Sequence, residues 1–211
     1  MTISTDSNWD DYYEKFRVPE FMIRSLWRHF EAAIRKQVGT PASKLVVAEL
    51  GGADSCMYER FVKAFPVAEY HIFDNNALGL ERFRAKAYQG TFLHNVDLLN
   101  APAFKDIAAD VVFSVGIIEH FAPADTDKLI EAHFDMAKSG GLVVMSFPTP
   151  TFAYWTYRRF LERMGLFPPL YERPMKFEEV RPILSRLGTP LECHKIWSTI
   201  LTQLIVSVRK F

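Results

Sequence analysis

The feature that most constrains this chain lies between Lys44 and Asp74. An apolar run, Leu45-Val46-Val47-Ala48, meets an acid and a turn of small residues, Glu49-Leu50-Gly51-Gly52-Ala53-Asp54-Ser55, and a second strand-like run, Tyr70-His71-Ile72-Phe73, stops at Asp74. A buried strand, a tight glycine turn, a helix and a second strand ending in an acid make the βαβ unit that holds an adenosine-containing cofactor, with the acid accepting hydrogen bonds from ribose hydroxyls. Asp74 follows Gly51 at close to the roughly 20-residue spacing of such units.

The rest of the chain continues the alternation. The pattern predicts strands near 45–50, 69–74 and 91–96 and helices near 55–65 and 77–87, then a strand at Ala109–Val115, a helix marked by Leu129, Ile130, Phe134 and Ala137 that ends at Gly140-Gly141, and a strand at Leu142–Phe147. Strands alternating with helices imply a parallel sheet covered on both faces. Met22, Leu26, Phe30, Ala33 and Ile34 recur at helical spacing before Gly39, which makes residues 1–40 a helical extension. Pro148-Thr149-Pro150 interrupts the alternation. Residues 148–175 then read as an inserted lid, closed by Pro168-Pro169 and Pro174, and a helix over Phe177–Leu187 leads into two adjacent strands, Leu191–Trp197 and Ile200–Arg209.

With 211 residues, the chain reads as one domain with a real core. Lys plus Arg and Asp plus Glu number 25 each, so no global field draws nucleic acid or an anionic membrane. No apolar run approaches the roughly 20 residues that span a bilayer. The two cysteines, Cys56 and Cys193, lack metal-ligand spacing, and their scarcity fits a reducing cytoplasm. The residues form no metal cluster along the sequence. Aromatic residues make up 14% of the chain, with 18 Phe, and cluster at 9–16 and 152–160, as a ring-lined site or an interface between two copies would require.

Four stretches in order resemble the motifs of the class I S-adenosylmethionine-dependent methyltransferases. Glu49 to Ser55 is similar to the first, an acid and spaced glycines around the methionine end of the cofactor; Glu49 and Gly51 match, Ala53 and Ser55 stand where the second and third glycines are usual, and Gly52 and Ala53 are counted with the cofactor-binding turn. Phe73-Asp74-Asn75 resembles the second, which binds the ribose. His94-Asn95-Val96-Asp97-Leu98 resembles the third, where Asp97 would meet the adenine amino group and Leu98 the ring. Asp110 to Phe121 resembles the fourth, in which Ser114 and Val115 present carbonyls and Gly116 permits close approach. The resemblance implies an α/β Rossmann-like fold: a doubly wound, seven-stranded, mostly parallel sheet with an antiparallel last strand. It implies S-adenosyl-L-methionine as cofactor, and methyl transfer to an oxygen or nitrogen of a small organic acceptor.

A nicotinamide-dependent reductase is the nearest competitor, but Gly51-Gly52-Ala53-Asp54-Ser55-Cys56 does not spell the dinucleotide fingerprint, and Asp54 at the helix start repels a pyrophosphate. The glycine replacements also leave open a scaffold that binds cofactor without turnover and serves a partner enzyme. Methyl transfer needs orientation rather than a covalent intermediate. A proton on the acceptor calls for a base, and His120, with a pKa expected near operating pH, comes first and Glu119 second; both equally suit a structural role in the loop, as His133 and His194 do. Tyr13, Tyr154, Trp155 and Arg158 are the expected acceptor-binding residues, the rings excluding water and the arginine meeting an anionic group.

Overall fold

The computed structural model describes residues 9–16, 18–99, 106–167, 170–199 and 201–211. Pro168 and Pro169, Ile200 and the first eight residues of the extension lie outside these. Among the described residues the order is α1 (Trp9–Lys15), α2 (Glu20–Val38), β1 (Leu45–Leu50), α3 (Tyr58–Ala64), β2 (Val67–Asp74), α4 (Ala77–Ala85), β3 (Thr91–Asn95), β4 (Ala109–Val115), α5 (Pro123–Met136), β5 (Ala137–Pro148), α6 (Phe152–Arg163), α7 (Phe177–Leu187), β6 (Gly188–Ile196) and β7 (Gln203–Lys210). The strands form one sheet in the order β3-β2-β1-β4-β5-β7-β6, parallel except for β7, which runs against both its neighbours.

Alternation along each strand feeds two cores. From β1 and β4, Val47, Val111 and Phe113 point to one face, under Phe30 and Ile34 of α2, Phe61 of α3 and Phe83 of α4. Ala48, Leu50 and Val112 point to the other, under Leu129, Ile130 and Phe134 of α5 and Leu184 of α7. Strands buried on both faces are therefore apolar nearly throughout, as the sequence runs show. The strand order reverses between β1 and β4, and the registers Leu50↔Phe73 and Leu50↔Ser114 bring three carboxyl ends level at that crevice.

The largest departure from the predicted boundaries is at β5, while α3, β6 and β7 shift by about three residues at their starts. Helix α5 stops at Met136, and β5 already pairs at Ala137↔Ala109 before resuming at Leu142↔Val111. Gly140, at φ +72°, and Gly141, where a Cβ would lie 2.8 Å from the Lys138 carbonyl, turn the chain inside this strand rather than ending the helix.

Candidate functional site

At the end of β1, Gly51 has φ +69° and a Cβ on it would lie 2.7 Å from Ile117, while one on Gly52 would lie 2.4 Å from the Glu49 side chain. Both positions therefore require glycine. Ala53 does not: its backbone is not in the left-handed region, its side chain is buried, and its N–H donates to Asp74 Oδ2 at 3.1 Å. Ser55 earns its place by its hydroxyl, which donates to Glu49 Oε2 at 2.6 Å and accepts from the N–H groups of Met57 and Tyr58, starting α3. The two departures from the glycine pattern are thus a packed methyl group and a cap.

Glu49 is buried, and Tyr70 Oη also donates to its Oε2 at 2.6 Å. These hydroxyls favour the carboxylate, yet burial prevails and pushes its pKa up to about 7. Among the described residues no cation lies within ion-pair distance of it. At the end of β2, Asp74 accepts from Ala53 N on one oxygen and from Asn76 N at 2.8 Å on the other, and burial again raises its pKa. The Asn76 side chain caps α4 through Gly79 N and donates to Asp10 Oδ1 at 2.6 Å.

These strand ends surround one cavity of about 790 Å³. Glu49, Gly51, Gly52, Asp74, Asn75, Asp97, Leu98, Val115 and Gly116 line it together with His120 and Tyr13, whereas Ala53 and Ser114 lie buried beneath its wall. Helix α1 packs against the cavity, with Trp9, Tyr12 and Tyr13 in its lining. Two contacts to α4 hold it there: Asp10 with Asn76, and Arg82, which donates to the Tyr13 carbonyl at 2.6 Å.

The insertion behaves otherwise. Tyr154, Trp155 and Arg158 are not among the cavity residues. Tyr154 is fully buried and donates to Glu172 Oε1 at 2.5 Å; Arg158 is engaged by Glu162, the Tyr154 hydroxyl and the Glu172 carbonyl. Trp155 packs edge-on against Tyr154, has the Arg158 guanidinium 5.7 Å from its ring centre, and leaves its remaining surface exposed. The aromatic residues expected to wall the acceptor from this side form a core contact and an outward face instead.

Past β4, a ring nitrogen of His120, Nδ1, meets the Tyr171 carbonyl, and the Trp9 ring stands edge-on at 4.8 Å. Burial pushes the His120 pKa down to about 4 against the opposing pull of the Tyr171 and Gly116 carbonyls, which corrects the expectation of a value near neutrality. Glu119 is 2% exposed, does not line the cavity, and its Oε2 has no partner among the described residues. Its Oε1 lies 4.0 Å from His120 Nε2. Burial and the charge of Glu172 raise the Glu119 pKa well above the usual carboxylate range. Glu172 was invisible in the sequence as part of this group, because the chain returns to it only after α6; one ligand-type atom each of Glu119, His120 and Glu172 lies within 4.8 Å of the others. Sequence spacing alone shows no such group.

The strand order is that of the class I methyltransferase fold. Similar solved structures include magnesium protoporphyrin IX methyltransferase ChlM from Synechocystis PCC 6803 with bound S-adenosylhomocysteine, at TM-score 0.70 and 16% identity over 96% of this chain and 93% of that one. The N-methyltransferase NodS from Bradyrhizobium japonicum WM9, also with S-adenosylhomocysteine, superposes with TM-score 0.62 and 15% identity over 87% and 86%. The CurJ carbon methyltransferase gives 0.66 and 15% over 87% of this chain and 54% of that one. No protein-family model matches the chain, and no curated protein was found to be related to it in sequence. Identities this low speak to the fold alone.

Proposed function

We propose that this protein is an S-adenosylmethionine-dependent methyltransferase that acts on an oxygen or nitrogen of a small organic acceptor. The observation that carries the reading is Glu49: a buried carboxylate at the cavity wall, satisfied by two hydroxyls and without a cation of its own, in a crevice that suits an incoming positive charge. Asp74 would hold the ribose hydroxyls, Asp97 and Leu98 the adenine, and Val115 and Gly116 the methionine end near Glu49. A dinucleotide fits poorly. The α3 N–H groups that would meet a pyrophosphate are taken by Ser55, with Asp54 beside them.

The cofactor, when bound, supplies a methyl group activated by a sulfonium. The chain supplies position and dryness: the rings of α1 cover part of the cavity, and His120, against Trp9, and Phe121 border the same space. Imidazole with a pKa of about 4 is neutral throughout the physiological range and accepts a hydrogen bond from an acceptor O–H or N–H. It is too weak a base to ionise a hydroxyl beforehand, but an oxygen that has gained a methyl group is strongly acidic and gives its proton to His120 as the transfer completes. Glu119, the second candidate, lies behind Gly116 and off the cavity wall, 4.0 Å from His120 Nε2, so any part it plays runs through His120.

Transfer of a labelled methyl group to a panel of hydroxyl and amine acceptors tests this. Product with the native protein, and a fall in kcat with little change in S-adenosylhomocysteine affinity for His120→Ala, support the reading. Cofactor binding with no product for any acceptor favours the non-catalytic scaffold.

A further inference from the structure

Eleven large apolar side chains are exposed among the described residues, and eight of them lie on three short stretches: the start of α2, helix α6 with the turn after it, and the turn between β6 and β7. Phe152 is 88% exposed, Trp197 64% and Phe21 52%. All three stretches sit at the carboxyl edge of the parallel strands, because α6 follows β5, the β6–β7 turn follows β6, and α2 runs from that edge back toward β1. Contacts join them. Ser25 of α2 bonds Ser198 of the turn, and Thr202 at the other end of the turn meets Thr149 N and Thr151 Oγ1, each at 3.0 Å, where α6 begins. Val18 belongs both to this face and to the lining of the cavity.

The face is basic as well as apolar. On α6, Phe152, Arg159, Phe160 and Arg163 share the outward side at helical spacing, with Tyr154, Arg158 and Leu161 turned inward. Arg24, Arg28 and Lys195 are exposed on the other two stretches. Nearby acids are engaged: Glu162 with Arg158, and Glu20 with Arg60 and Arg24. Among the described residues Arg28, Arg159 and Arg163 have no carboxylate within ion-pair distance. Phenylalanine and tryptophan interleaved with arginine on one side of a helix is the composition of a segment that lies in a membrane interface, with rings among the acyl chains and guanidinium groups at the headgroups. None of the described helices is long and apolar enough to cross a membrane.

We propose that this face docks on an anionic lipid bilayer, with α6 lying in the interface and the cavity opening beside it. A second copy is the weaker occupant, because a two-fold contact would set Arg159 and Arg163 against their own counterparts, with no spare acid on the face to receive them. A lipid surface carrying negative headgroups satisfies the rings and the arginines together. The proposal stands apart from the methyltransferase reading, since it concerns adhesion and not turnover.

Co-sedimentation of the intact protein with phosphatidylglycerol-containing vesicles, with pure phosphatidylcholine vesicles as the comparison, tests it. Binding to the anionic vesicles is expected to weaken with added salt and to fall roughly tenfold or more in Arg159→Glu/Arg163→Glu. Phe152→Ser/Phe160→Ser is expected to abolish it, and both variants should keep the native circular dichroism spectrum and native S-adenosylhomocysteine affinity. Absence of vesicle binding by folded protein overturns the proposal, as does equal binding to neutral vesicles. A dimer in light scattering that Phe152→Ser/Phe160→Ser dissolves also overturns it, by assigning the face to a second copy.

Discussion

Helix α1 and helix α6 carry the same kind of side chain to opposite ends. Each is rich in rings, each stands at the carboxyl edge of the sheet, and each was a candidate wall for the acceptor. In α1, Trp9, Tyr12 and Tyr13 line the cavity; in α6, Phe152 and Phe160 face away and Tyr154 is locked in the core. Polar anchors make the difference. Asp10 and the Tyr13 carbonyl are tied to Asn76 and Arg82 of α4, whereas Arg158 and Tyr154 are tied to Glu172, beside Glu119 and His120. Each helix also stands beside a carboxylate, Glu172 half-buried and Glu49 fully buried. Glu172 has the Arg158 guanidinium at 3.6 Å, but Glu49 has hydroxyls only and is left for an external cation.

Substitutions can break that contrast. Tyr154→Ala removes a fully buried ring and its hydrogen bond to Glu172, and should cost about 3 to 5 kcal/mol of stability in urea unfolding. A cost under about 1 kcal/mol would mean that α6 is not anchored by its inner face. Glu49→Gln probes the other carboxylate through pH. The folded-state pKa of Glu49, about 7, exceeds the 4.5 of the free group, so its contribution to stability is full below pH 4.5 and is lost as pH rises through 7. The amide should therefore make the ligand-free protein more stable by roughly 3 kcal/mol above pH 7, with little effect below pH 4.5, while weakening cofactor binding. Thermal unfolding across that range checks the sign. Native affinity for S-adenosylhomocysteine should likewise fall below pH 7, by about tenfold per unit, as Glu49 takes up a proton.

Smaller effects sharpen the comparison. Asp10→Ala cuts one tie of α1 and should weaken S-adenosylhomocysteine binding by about 1 kcal/mol, roughly fivefold, in calorimetry. Trp155→Ala on α6 should change stability by less than about 0.5 kcal/mol and leave that affinity where it is. Similar losses of affinity for the two would erase the distinction between the helices.

The strand-helix alternation and the four strand-end motifs were legible in the sequence because they depend on local period and on residues adjacent in the chain. Placing Glu49, Asp74 and Gly116 at the cavity took no more than the ends of their strands. What could not be read was direction and company. The orientation of α6 is fixed by Glu172, which the chain reaches only after leaving the helix, and the His120 pKa is set by burial under Trp9 and contacts with Tyr171, both distant in sequence. Ser55 looked like a lost glycine because its two roles, capping α3 and bonding Glu49, appear only once β1 and α3 are placed. Equal numbers of acids and bases likewise concealed a face on which the arginines outnumber the available carboxylates.

Calorimetric titration of the native protein and Asp74→Ala with S-adenosylhomocysteine, with NAD as the comparison ligand, addresses the central claim. Saturable binding of S-adenosylhomocysteine alone is expected, weakened in Asp74→Ala by about 1.5 to 3 kcal/mol through loss of charge-assisted hydrogen bonds. Absence of binding by folded protein, or an affinity that Asp74→Ala leaves unchanged, would contradict the assignment of this crevice to an S-adenosyl cofactor.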